Sequence, residues 1–177
     1  DDGKEITWRV ETPIGSISRT RVWEDVTYAW GIKGWGIKTP EDIKILAYAL
    51  ENRTFEFLFF KYKCWVDYIG DIGLCYVIAG YSGMGQILNY WMGIEGTMYA
   101  TMDWPGLIKE TVERINNNNL ELIKVLAASP AKIICMGDNF SSAIQPPSFY
   151  NRWSKDYYVK AIEILHNAGK YVAVHID

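Results

Sequence analysis

The chain has 177 residues, 49% hydrophobic and 22% charged, with a net charge of −3. This balance fits a globular domain with a sizeable core, and the scattered Lys and Arg exclude a basic nucleic-acid surface. No apolar run approaches the ~20 residues a membrane span needs, and none reads as a signal peptide, so a cytoplasmic protein without membrane or nucleic-acid partners is expected.

The first segment predicts a β-hairpin. KEITWRVET and SISRTRVWE flank Pro13-Ile14-Gly15, and each carries a period of two, through Ile6, Trp8 and Val10 and through Ile17, Arg19 and Arg21. Arg19 and Arg21 fall on one face, so much of the hairpin is expected to be half-exposed. Thr39 then offers an N-cap, Pro40 suits a first helical position, and Glu41 and Asp42 meet the positive end of the helix dipole. Ile43, Leu46, Ala47 and Leu50 supply that helix's apolar stripe, and Asn52 closes it. The aromatic-rich stretch from Phe55 to Asp71 also reads as helical. Cys64, Cys75 and Cys135 are odd in number, widely spaced and set in apolar stretches, so buried reduced thiols are expected rather than a disulfide frame.

From Gly73 onward the pattern alternates. LCYVIAG predicts a buried strand, and a helix follows near Gln86 to Met92. A long helical region begins at Pro105; the asparagines 116 to 119 predict a polar outward patch on a continuous helix rather than a break. AKIICMG predicts the next strand, Pro147 to Ala168 a helix closed by Gly169, and YVAVHID the last strand. Alternating strands and helices imply parallel pairing. The choice lies between a doubly wound sheet and part of a (β/α)8 barrel. A full barrel needs ~250 residues, so the expected fold is α/β, a partial (β/α)8 TIM barrel of about half the full size. One domain is expected over 1–177, with a hairpin region at 1–30 and β/α units at 31–177. The chain opens without Met and stops on a strand-like run, so a longer gene product is expected.

In such folds functional groups gather beyond the C-terminal ends of the strands. The first end offers Tyr81 and Ser82, the second Asp138, Asn139 and Ser141, and the third His175 and Asp177. Expected catalytic residues are therefore Asp138, Asn139, His175 and Asp177, with Tyr81, Ser82 and Ser141 contacting substrate. GYSGMGQ matches neither a dinucleotide fingerprint nor a P-loop, and a tight strand-to-helix turn explains its glycines. His166 lies near a helix C-terminus, where a cation meets the dipole.

MGDNFSSAIQPPSFYNRWSKDYYVKAIEILHNAGKYVAVHID resembles the uroporphyrinogen decarboxylase superfamily, which includes cobalamin-dependent and methylcobamide:coenzyme M methyltransferases. The pattern is a strand ending in an acid, a polar loop, Pro before an aromatic, a long helix, H-x-A-G-K and a strand ending in His. ETPIGSISRTR resembles the T-P-x-G hairpin of the methyltransferase-like members, and AGYSGMGQILNYWMGIEG resembles the decarboxylases' loop and helix. Gln86-Ile87 stand where decarboxylases carry Trp-Thr, and their helix tyrosine falls at Trp91 or the neighbouring Tyr90, so the resemblance implies Tyr90 as a further substrate contact. His175-x-Asp177 stands where zinc-dependent members have His-x-Cys. The resemblance implies corrinoid-dependent methyl transfer, with His175 and Asp177 as metal ligands for zinc, or positioning the donor or acceptor, and a corrinoid presented by a partner protein. The alternative is cofactor-free decarboxylation of a tetrapyrrole. The hairpin and the Asp138-Asn139 pair favour methyl transfer. A third reading is an inert fragment, or a module that binds a partner through its sheet edges. Uncovered edges also imply self-association as a homo-oligomer.

Overall fold

The computed structural model describes residues 3–176. Its first part is an antiparallel sheet of β1 (Glu5–Thr12), β2 (Gly15–Glu24) and β3 (Ala29–Gly34), in that order. Pro13 and Ile14 make the first turn, and Gly15 follows with φ 139°, a conformation that favours glycine. The third strand was not expected. AWGIKG carries two glycines and a lysine, which hide its β character, but Trp30 pairs with Trp23 and their rings sit 5.7 Å apart, edge to face.

Helix α1 (Pro40–Glu51) begins as its sequence indicates. The Thr39 side chain accepts from the Asp42 amide and the Asp42 carboxylate accepts from the Thr39 amide, a reciprocal capping box. Helix α2 (Phe59–Ile69) buries none of its residues, and Cys64 on it is exposed, against the expectation of buried thiols. The strand β4 (Tyr76–Ile78) leads into α3 (Gly83–Gln86), a π-helical segment (Ile87–Met92) and α4 (Gly93–Asp103). The long α5 (Pro105–Ala128) runs unbroken through the asparagines. After β5 (Ile133–Phe140), the single expected helix is two, α6 (Pro147–Trp153) and α7 (Lys155–Asn167), divided at Ser154. The second of these ends at Ala168 and Gly169, where the Gly169 amide donates to His166 O and the Lys170 amide to Leu165 O. Last comes β6 (Tyr171–Ile176).

The strands β4, β5 and β6 are parallel and adjacent in that order, as the alternation implied. The partial (β/α)8 barrel is not what they build. They form a separate three-stranded sheet, and the N-terminal strands form their own antiparallel sheet instead of extending it. Helices α5 and α7 both pack on one face of the parallel sheet, where Ile134 and Met136 meet Ile123, Leu126, Ala161 and Leu165. The opposite face carries Tyr76 at 59% exposure, Ile78 at 69% and Tyr171 at 73%, uncovered among the described residues. Apolar residues on both faces of a strand therefore did not mean cover on both faces.

Two cores result, and α5 spans them. Its N-terminal half sends Ile108, Val112 and Ile115 into a cluster with Ile17, Ile43, Leu46, Met84 and Ile87. Its C-terminal half sends Ile123 and Leu126 into the core under the parallel sheet. The four asparagines lie between these halves. Arg114 ties α5 to α1 by a two-pronged ion pair with Glu51, at 2.5 and 2.6 Å. Among the described residues no helix is long and apolar enough to cross a membrane.

Candidate functional site

The strand-end loop after β4 is held from below by one carboxylate. Along β5, Ile134, Met136 and Asp138 alternate onto the helix-covered face, and Asp138 is fully buried there. The Ser82 amide donates to Asp138 Oδ1 at 2.7 Å, and the Ser82 hydroxyl donates to Oδ2. Ser82 is also the N-cap of α3, its oxygen accepting from the Gly85 amide at 3.0 Å. Burial pushes the Asp138 carboxyl up to about 6, and the two bonds from Ser82 pull in the opposite direction. The buried Tyr158 hydroxyl lies near the same carboxyl without good hydrogen-bond geometry, and burial raises its own pKa far above the usual phenol value.

The glycines of GYSGMGQ now have a reason. A Cβ on Gly85 would run into the Asp138 carboxylate, and one on Gly83 would come within 2.6 Å of the Val112 carbonyl oxygen. The loop is glycine-rich so that it can close over the chain's own carboxylate and against α5. The anion at this turn belongs to the protein, and no phosphate cradle is needed to explain it.

From the side, the asparagines of α5 hold the loop. Asn116 Oδ1 accepts from the Gly83 amide at 2.7 Å, and Asn119 Nδ2 donates to the Tyr81 carbonyl at 3.0 Å. Asn119 is 2% exposed and also accepts from Arg53 at 2.7 Å, while Asn118 donates to the Arg53 carbonyl. The expected outward polar patch is in large part a set of inward tethers. Replacing Asn119 with alanine strands the Tyr81 carbonyl and leaves the Arg53 guanidinium only its bond to the Leu50 carbonyl, at a cost of about 2 kcal/mol. Amide hydrogen exchange across residues 80–85 should quicken in N119A, and unchanged protection there would refute the tether.

The mouth above this loop is aromatic and cationic. Tyr81 and Tyr90 stack obliquely with centroids 5.2 Å apart, and Asn139 Nδ2 reaches the Tyr81 hydroxyl at 3.5 Å. Asn139 sits at φ 52°, a left-handed conformation that Asn tolerates better than most residues, and here the β5–β6 register shifts. The π-helical segment carries Tyr90 and Trp91 toward β2. There the Arg19 guanidinium lies 4.2 Å from the Tyr90 ring centre, 4.9 Å from Trp8 and 5.3 Å from Trp91, and it donates to the Tyr90 carbonyl at 3.3 Å. Arg21 lies 5.4 Å from Tyr90 and 5.7 Å from Trp8. Arg19 is only 7% exposed, so the half-exposed hairpin face is, at this position, an interior one. Trp8, Arg19 and Arg21 were absent from the residues expected at the site. Their signal was present, because Trp8 and Val10 are apolar and pair with Arg19 and Ile17 across the hairpin.

Of the expected residues, Tyr81, Tyr90 and Asn139 come together at the mouth, with Ser82 and Asp138 directly beneath. Asp138 is a positioning residue here, since its carboxyl is sealed behind the loop. Ser141 opens the next turn, its carbonyl accepting from the Ile144 and Gln145 amides. His175 does not join them. Parallel register puts it beside Gly137, where a Cβ would come within 2.8 Å of the His175 Cβ, on the sheet face opposite Asp138. Asp177 lies outside the described residues. Among the described residues no three His, Cys, Asp or Glu side chains gather to hold a metal ion. A cleft of about 820 Å³ lies elsewhere, between α2, the β4 edge and α5; Trp65, Ile69, Tyr76, Ile78 and Leu122 make its lining mostly apolar. Comparison with family models, curated proteins and solved structures returns no match.

Proposed function

We propose that this chain forms the substrate-facing part of a methyltransferase of the uroporphyrinogen decarboxylase superfamily, acting with a corrinoid held on a partner protein. The observation that carries this reading is the closure of the β1–β2 hairpin over the strand-end loop, through Arg19 on the Tyr90 ring. The hairpin is the feature on which the resemblance to the methyltransferase-like members rests. It sets Trp8, Arg19 and Arg21 against Tyr90, beside the strand end. Trp8, Tyr81 and Tyr90 supply flat apolar walls, which shield a reacting group from water. Asn139 supplies a neutral donor and acceptor at the rim. Ser82, Asp138 and Asn119 fix the position of Tyr81 without reaching the ligand. A bound corrinoid would supply the methyl group, and these side chains orient the acceptor.

The test is turnover by the protein with methylcobalamin as donor and coenzyme M as acceptor, read as thioether formed. Formation above a protein-free control, with at least a tenfold loss in Tyr81→Ala, is expected. Decarboxylation of uroporphyrinogen by the same preparation, or turnover of neither substrate, would overturn the reading.

A further inference from the structure

Arg19 and Arg21 pose an electrostatic question that the fold leaves unanswered. They stand two residues apart on one face of β2 and share the Trp8 and Tyr90 rings. Among the described residues, neither forms an ion pair with a carboxylate. The Nε of each is buried and makes no hydrogen bond. Stacking on aromatic faces accounts for the flat sides of the guanidiniums, because a cation over a ring is attracted by its quadrupole. It does nothing for the N–H groups at their edges. Each guanidinium has five such donors, and the partners of Arg19 are the carbonyl and the side chain of Tyr90 alone among the described residues, with no carboxylate. Burial and the neighbouring Arg21 cation both pull the Arg19 pKa down, so the fold holds the two charges together against their repulsion.

We propose that Arg19 and Arg21 form an oxyanion subsite that takes the carboxylate or phosphate group of an organic ligand. The inference rests on the reading of this mouth as the ligand site. Two neighbouring guanidiniums carry enough N–H donors for the oxygens of one anion, a task in which arginine surpasses lysine. The anion supplies the missing countercharge. Tyr81, whose ring is within electrostatic range of Arg21, places the rest of the ligand next to the strand-end loop.

Isothermal titration of the protein with citrate and, separately, with inorganic phosphate tests this, with ionic strength held constant by sodium chloride. Saturable binding of at least one anion is expected, and the tighter of the two distinguishes a carboxylate from a phosphate ligand. R21Q, at a half-buried position, should weaken binding about ten- to a hundredfold, the loss of one charge-assisted hydrogen-bonding group. R19Q should do at least as much. R9Q, on the exposed Arg9 paired with Glu11, should leave affinity unchanged. No saturable binding of either anion, or equal weakening by R9Q and R21Q, would overturn the subsite. Binding is read without turnover, so the subsite and the methyl-transfer reading can fail separately.

Discussion

Gly85→Ala is expected to lower stability by about 3 kcal/mol. At most positions in a helix this substitution gains ~1 kcal/mol from backbone entropy. Here the added methyl meets the Asp138 carboxylate, which is rooted in β5 and gripped by Ser82. Overpacking of this kind costs ~1–3 kcal/mol, and displacing the carboxylate forfeits charge-assisted hydrogen bonds worth ~1.5–3 kcal/mol each. For a chain of this size the melting temperature should fall by roughly 6–12 °C. The mechanism is tested by repeating the substitution in an Asp138→Ala background. With the carboxylate gone, Gly85→Ala should be neutral or slightly stabilising. The same cost in both backgrounds would place the clash elsewhere.

The second large effect is on the pH dependence of stability. The Asp138 carboxyl has a folded pKa near 6 against an ordinary 3.8, so the fold prefers the protonated form. Below about pH 4 the group is protonated whether the chain is folded or not, and this penalty is absent. As pH rises through the interval to about 6, the unfolded chain releases the proton first and stability falls. Above that the loss is complete and constant. The gap corresponds to about 3 kcal/mol. Asp138→Asn keeps an acceptor for the Ser82 amide and removes the titration. The stability of the wild type relative to this variant should therefore drop by about 3 kcal/mol between pH 4 and pH 7, measured by denaturant unfolding at each pH. A difference that stays flat over that range would contradict the burial of an ionisable carboxyl there.

Local signals in the sequence were read correctly where one residue type has one dominant use. Thr39 with Pro40 and Asp42 marked the start of α1, Gly169 marked the end of α7, and the parallel pairing of β4, β5 and β6 followed from the alternation. The barrel was not legible, because closure depends on how many strands join one sheet, and the apolar pattern of each strand does not encode that number. The convergence of Tyr81 and Asn139 followed from parallel topology, and Tyr90 was indicated only by the family resemblance, but the face on which each strand residue points depends on register. That is why His175 parted from Asp138. Arg19 and Arg21 mark a half-exposed hairpin face in the sequence; the burial of Arg19 against Tyr90 and Trp91 depends on a segment some seventy residues away. The asparagines of α5 were legible as a continuous helix, yet their inward direction depended on the loop they hold.

The buried acid beneath the Tyr81–Ser82 loop underlies the whole arrangement of the mouth. Its most direct test is the carboxyl carbon chemical shift of Asp138, followed by NMR across the acid range and assigned by its loss in Asp138→Asn. A titration midpoint near 6 is expected. A midpoint at the ordinary value near 3.8 would mean that water reaches this carboxyl, and that the loop is not seated on it as described.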